Sequence, residues 1–222
     1  MVVANASDAG TRQAVKRAIV PVILDNQKKF LRHTLGIPGT HNQENAEAAW
    51  TVGKYLGISK TVVEATFKEY RGSWRRFEEL IPRKGSGIRA RVFTDYAHHP
   101  TEIRATLAAA REAFPKKKIV AVLEPHHSDR LNQLFKEFKN AFFDADRVVL
   151  LPVYKVLGRD EEDYAKDSSA LVRAMKNRNV LYAPSFSRVF LLLNSDFKDL
   201  NTVIFFMSAG NLDSEVRGFV GS

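Results

Sequence analysis

Apolar positions along this chain follow two textures. From residue 9 to about 70 the spacing predicts a short helix over 9–17, the apolar run AIVPVIL at 18–24, and a loop containing Gly36, Pro38 and Gly39. A helix over 42–56 should follow, with Ala46, Ala49, Trp50, Val52, Gly53 and Leu56 on one small-to-apolar face and Gly57 after its last turn. Ser59 then caps a second helix through residue 70, with Val62, Val63, Ala65, Thr66 and Phe67 on its buried side. This zone is helical at its end and incomplete at its beginning. From residue 73 onward short apolar runs alternate with amphipathic stretches, the pattern of βαβ units. Strands are predicted over 90–94, 119–123, 148–153, 180–182 and 203–207, and helices over 100–113, 131–143, 168–175 and 186–193. The expected fold class is α/β: a doubly wound, mainly parallel sheet complete within 73–222, preceded by a mostly helical piece over 1–72.

Composition narrows this only a little. A chain of 222 residues, 45% hydrophobic, can bury one large domain, or one domain and part of another. With no cysteine, disulfides, thiolate metal sites and a cysteine nucleophile are excluded. No run approaches the roughly 18 apolar residues of a membrane span, and MVVANASDAGTRQ lacks the order of a signal peptide, so a cytoplasmic protein without a membrane partner is expected. The net charge of +9 invites a polyanion partner. Yet the basic residues are scattered through RQAVKR, NQKKF, RGSWRRF, PRKGSGIRAR, FPKKK and KNRN with acidic residues between. A solvated basic surface fits that scatter best, small phosphorylated ligands next, and no nucleic-acid partner is expected.

Candidate chemistry follows from the strand ends, because ligands of doubly wound sheets sit beyond the C-terminal ends of the strands. The first predicted strand leads into Asp95, Tyr96, His98, His99, Pro100 and Glu102, the second into Glu124, His126, His127 and Arg130, and the last into Ser208, Gly210 and Asn211. Four of the six histidines thus lie at two strand ends. If those two strands are neighbours, Asp95, His98, His99, His126 and Arg130 converge on one crevice. Pro100 marks a helix start whose free N–H groups favour an anion. Adjacent histidines rarely both point at one ion and no further ligand spacing occurs, so no metal site is expected. Asn42 would by default cap its helix, and RGSWRRF would by default be a packed linker.

Several of these segments together resemble the Mur ligase family. GTHNQENAEAA, GSWRRFE and TDYAHHPTEI are similar to its Gly-x-His-Asn-x-x-Asn-Ala-x-Ala-Ala, Gly-x-x-Arg-Arg-Phe-Glu and Asp-Tyr-x-His-His-Pro-Thr-Glu motifs. EPHHSDR, DRVVLLPVYKVLGRDEE and FFMSAGNLD stand, in order, where the alanine-adding members have related segments. The likeness covers nearly the whole chain from about Gly36. It departs at Thr94, where an aspartate is usual, at Glu124, usually Gln, and at His127, usually Arg.

The resemblance implies a Rossmann-like C-terminal ligase domain over 73–222 and a remnant of the central ATP-binding domain over 1–72. It implies ATP-dependent joining of L-alanine to UDP-N-acetylmuramate in peptidoglycan precursor synthesis, through an acyl phosphate. Carried over, His41, Asn42 and Asn45 would lie near the adenine, Arg76 at the ribose or phosphates and Asp95 at the ribose hydroxyls. Tyr96, His98 and His99 would face the acyl phosphate and amino acid as catalytic residues, with His126, His127 and Arg130 binding the amino acid's carboxylate. ATP and Mg2+ are the implied cofactors. The metal ligands are expected elsewhere in the central domain, since no G-x-x-x-x-G-K-[ST] loop occurs in these 222 residues. The chain alone should therefore be inactive. Two alternatives stand: a muramyl-tripeptide recycling ligase of the same family, or a non-catalytic nucleotide-binding or interaction module. Oligomeric state is not legible.

Overall fold

The computed structural model describes residues 2–6, 8–20, 22–25, 35–156 and 166–221. The basic run at 26–30 and the 157–162 end of the segment compared above lie outside them. The chain divides into two compact units, 1–72 and 73–222.

In the first unit, strands β1 (Val2–Asn5) and β2 (Val22–Asp25) pair in parallel, with helix α1 (Ala9–Val15) between them in sequence. Strand β1 escaped the sequence reading because four residues are too short to display an alternation. Helices α2 (Thr40–Tyr55) and α3 (Lys60–Glu69) follow. The Ser59 hydroxyl accepts from Val62 N at 3.4 Å as the predicted cap, and Gly57 takes φ 76°, which suits a residue without Cβ after a helix. The buried face is narrower than expected. Ala46, Trp50 and Val63 form the core with Leu35 and Phe67 against them, whereas Val52, Leu56 and Val62 are exposed. An apolar stripe is buried only as far as a partner element covers it.

Among the described residues the second unit is a doubly wound sheet of six strands. In chain order it runs β3 (Glu78–Leu80), β4 (Arg91–Asp95), α4 (Pro100–Ala113), β5 (Lys118–Glu124), α5 (Ser128–Gln133), α6 (Phe135–Lys139) and β6 (Arg147–Leu150). It continues with α7 (Ser168–Met175), β7 (Val180–Tyr182), α8 (Phe186–Phe197), β8 (Thr202–Ser208) and α9 (Leu212–Val220). The spatial order is β3-β4-β8-β5-β6-β7, with only β3 antiparallel. The five predicted strands are all present. Strand β3 and helix α9 were not predicted, and the helix expected over 131–143 is two, broken at Leu134, whose φ −101° and ψ 24° leave the helical region. Helix α8 runs four residues beyond its predicted end at 193.

Successive strand residues point to opposite faces, and both faces are covered. Phe205 and Met207 pack with Ile103 and Leu107 of α4, Leu131 of α5, Phe138 of α6 and Leu171 of α7. Ile204 and Phe206 pack with Val189 and Leu193 of α8 and Val216 and Val220 of α9. All seven residues of β8 are buried, which is why that strand reads as continuous apolar sequence. The helices following β4 and β5 lie on one face and the helix following β8 on the other. The C-terminal ends of these three strands are therefore where the chain diverges to both sides and a crevice opens.

Candidate active site

Strands β4 and β5 are not neighbours. Strand β8, last in sequence, runs between them and pairs with both. Of the residues expected to converge, His98 and His126 meet across the two turns, while Asp95 and His99 are engaged in the local structure of theirs. The ring of His98 lies 5.8 Å from that of His126 and 5.4 Å from that of Tyr96, both edge to face. His126 in turn meets His127 at 4.2 Å and stacks on Tyr154 at 5.3 Å.

The turn after β4 is locally determined. Tyr96 N donates to Arg75 O at 2.7 Å, tying the turn to the junction segment. Asp95 is buried (4% exposed): one carboxylate oxygen accepts from Phe77 N and the other from Ala97 N, each at 2.8 Å, with Thr106 Oγ1 at 3.3 Å. Burial pushes its pKa up, against those hydrogen bonds and the Arg76 charge. Such a carboxylate holds the junction against the strand and has little surface left for a ligand. His99 is the N-cap of α4. Its Nδ1 accepts from Thr101 N at 3.2 Å while Glu102 accepts from His99 N at 3.2 Å, a capping box built with a histidine. Glu102 also accepts from His98 N at 3.0 Å and lies 3.4 Å from His98 Nδ1, which contacts Tyr96 O at 2.9 Å. Burial would raise the Glu102 pKa, but the His98 and His99 amides, the His98 ring and Arg76 outweigh it and hold it low. An ionised Glu102 thus orients the His98 ring.

The turn after β5 carries strain. His127 has φ 68° and ψ 119°, a conformation that non-glycine residues rarely adopt, and it sits where α5 begins. Its N–H donates to Tyr154 O at 3.2 Å and Tyr154 N to Pro125 O at 2.8 Å, so the segments beyond β5 and β6 continue to pair and fix the imidazoles. Arg130, half-buried one turn into α5, donates to His126 O at 3.4 Å.

Between these turns lies the end of β8. Ser208 donates to Glu124 at 2.5 Å and accepts from Gly210 N at 2.7 Å. Burial pushes the Glu124 carboxyl up, against the Ser208 bond and the Arg75 charge. Of the two junction arginines, Arg75 is buried, donates to Ser208 O and Gly210 O, and stands over the Tyr96 ring at 4.9 Å. Arg76 is exposed, 5.4 Å from the centroid of the same ring, and is the one with a guanidinium available to a ligand. Thr94 is buried and donates to Asp213 at 2.6 Å, pinning α9.

Tyr96, His98, His126, His127 and Arg130 are thus gathered at one edge of the sheet, with Arg76 beside Tyr96. In the first unit, Asn42 does not cap α2. The N-cap is Gly39, and Asn42, three residues on, donates from its side chain to Pro38 O at 2.6 Å. His41 is half-buried and Asn45 exposed on the same first turns. Tyr154, Glu102, Arg75 and Ser208 were assigned no role from the sequence, although Glu102 and Ser208 stand in the strand-end segments and Arg75 in the junction run.

A family model described as the glutamate ligase domain of Mur ligases matches residues 75–210. A UDP-N-acetylmuramate–L-alanine ligase of Desulfatibacillum aliphaticivorans is 32% identical over 200 residues, covering 89% of this chain and 42% of the relative. Its counterpart in Agrobacterium fabrum is 45% identical over 142 residues, 64% of this chain and 29% of the relative. The solved UDP-N-acetylmuramate-alanine ligase of Thermotoga maritima superimposes with a TM-score of 0.62 at 28% identity, covering 84% of this chain and 38% of that one. Folylpolyglutamate synthase of Mycobacterium tuberculosis, with a TM-score of 0.65 at 18% identity, covers all of this chain and 55% of its own and shares the fold. The chain spans less than half the length of the curated relatives it matches.

Proposed function

Since this chain belongs to the Mur ligase family, we propose that it supplies the amino-acid end of an ATP-dependent ligase joining L-alanine to the carboxyl group of UDP-N-acetylmuramate. The observation that carries this reading is the gathering of His98, His126, His127 and Arg130, with Tyr96, from two strands that do not pair. A carboxylate-binding arginine and an oriented imidazole at one strand-end crevice suit an amino acid presented to an activated acyl group.

In the proposed reaction the substrate carboxylate takes the terminal phosphoryl group of ATP, giving an acyl phosphate and ADP. The alanine nitrogen then attacks the acyl carbon, a C–N bond forms, and phosphate departs with the C–O electron pair while the nitrogen loses a proton. This chemistry needs placement and charge compensation more than covalent help from the protein. We assign Arg130, with His126 and His127, to the alanine carboxylate. His98, oriented through Nδ1 by Tyr96 O and Glu102, is assigned to the acyl phosphate and the attacking amine beside Tyr96. His99 supports it by capping α4, and Asp95 by holding the junction that presents Arg76. Arg76 is proposed to meet the nucleotide's ribose or phosphates, and His41, Asn42 and Asn45 its base. Among the described residues no group of three or more His, Cys, Asp or Glu is arranged to hold a metal ion, so no residue here is assigned to magnesium.

The test joins this chain to the missing portion of the Agrobacterium fabrum ligase and follows ATP-dependent transfer of alanine to UDP-N-acetylmuramate. Activity is expected, with Arg130→Ala raising the KM for alanine about 10- to 100-fold, the weight of one charge-assisted hydrogen bond. A folded chimera that transfers no amino acid, or an unchanged KM, would overturn the assignment. The chain by itself should bind ATP weakly in calorimetry; tight, magnesium-dependent binding would contradict the reading.

A further inference from the structure

Two strands away from β8, a pocket of about 330 Å3 opens at the C-terminal ends of β6 and β7, and no role assigned above uses it. Its lining includes Ser128, Lys155, Lys166, Asp167, Ser168 and Tyr182. This is the edge of a parallel sheet at which ligands bind, and α7 starts there. Three features mark it as a built site. Ser168 is 1% exposed, yet among the described residues its hydroxyl has no hydrogen-bond partner, and buried hydroxyls are ordinarily paired. The start of an eight-residue helix adds backbone amides and the positive end of its dipole. Among the described residues, Lys155, Lys166 and one carboxylate line the pocket. That carboxylate, Asp167, is turned to the helix: it accepts from Ala170 N at 2.6 Å and from the Ser169 hydroxyl at 2.8 Å.

From this lining we propose that the pocket binds a small oxyanion, a phosphate or carboxylate group, with the Ser168 hydroxyl donating to it and Lys155 and Lys166 compensating its charge. The pocket shares no lining residue with the proposed alanine site, although Ser128 follows His127 directly, and the proposal does not depend on that reading. A lone phosphate or acetate is small enough to occupy the pocket.

The full 222-residue chain is titrated with inorganic phosphate and, in a second arm, with acetate, each against chloride at matched ionic strength, following the melting temperature. At roughly hundredfold excess over Kd, a rise of about 5 °C or more is expected from at least one of them. A response to phosphate alone identifies a phosphoryl ligand, and a response to acetate a carboxylate one. Ser168→Ala and Lys166→Ala should melt like the parent in chloride but lose most of the rise. Arg130→Ala should keep it. No rise beyond chloride in either arm, a rise undiminished in both pocket variants, or its loss in Arg130→Ala would each overturn the proposal.

Discussion

A Cβ built on Gly210 would lie 2.5 Å from a Glu124 carboxylate oxygen and 2.8 Å from the Tyr154 ring. Neither neighbour can retreat cheaply, since Glu124 is held by Ser208 and Tyr154 is stacked on His126. Gly210→Ala should therefore destabilise the chain by about 1–3 kcal/mol, the usual cost of overpacking, as measured by urea unfolding. A change within experimental error would mean that the 208–212 loop is looser than its contacts imply. Glu124 itself gives a pH signature. Burial raises its folded pKa, so the folded state holds a proton that the unfolded state has released. Its effect on stability is absent below the unfolded glutamate value and becomes a growing penalty as pH rises toward the folded value. Glu124→Gln removes the titration but keeps an acceptor for Ser208. The variant should melt at an increasing advantage over the parent between about pH 4 and neutrality, and a constant difference across that range would refute the assignment.

At the scale of elements, α4 shows how far a motif can be read. Pro100 and Glu102 announced a helix start, and the helix spans its predicted limits of 100–113. Less legible was that His99 would supply the cap, because imidazole is not among the usual N-cap side chains. His99→Ala should cost about 1 kcal/mol, and His99→Asn, which offers an acceptor at the same place, should restore most of it in thermal unfolding. If both variants lose the same stability, the ring serves something other than the cap. The two unpredicted strands are both short. Strands β1 and β3 have four and three residues, below the length at which alternation separates from chance. The break at Leu134 interrupts a continuous amphipathic pattern, and only its packed surroundings favour two short helices over one.

For the whole molecule, the distribution of buried apolar side chains decides which part stands alone. Both large core clusters lie within 73–222, while among the described residues the first unit buries Ala46, Trp50 and Val63 as a cluster with two partly buried neighbours, and Ala4 and Ala6 besides. Hydrophobic burial scales with apolar area removed from water, so the second unit carries far more of it. Limited proteolysis should leave a resistant fragment beginning near residue 73, identified by mass spectrometry. Cleavage that spares both units equally would show the first to be as stable as the second. The likeness to the Thermotoga maritima ligase and to folylpolyglutamate synthase shows the fold to be shared at 28% and 18% identity.

By itself the sequence determined the five parallel strands and the helices between them, because buried strands and amphipathic helices write their periods directly into residue order. It also placed the histidines at strand ends. Tertiary structure decided the rest. Strand β8 inserts between β4 and β5, a choice of pairing that no local pattern encodes, and it sets the spacing between the two histidine-bearing turns. Burial then divided like from like: Arg75 was drawn into hydrogen bonds beneath Tyr96 while Arg76 stayed exposed, and Asp95 was enclosed by backbone amides. Residues adjacent in sequence look alike on the page, but the energy of a charge depends on what surrounds it, and only the folded chain supplies those surroundings.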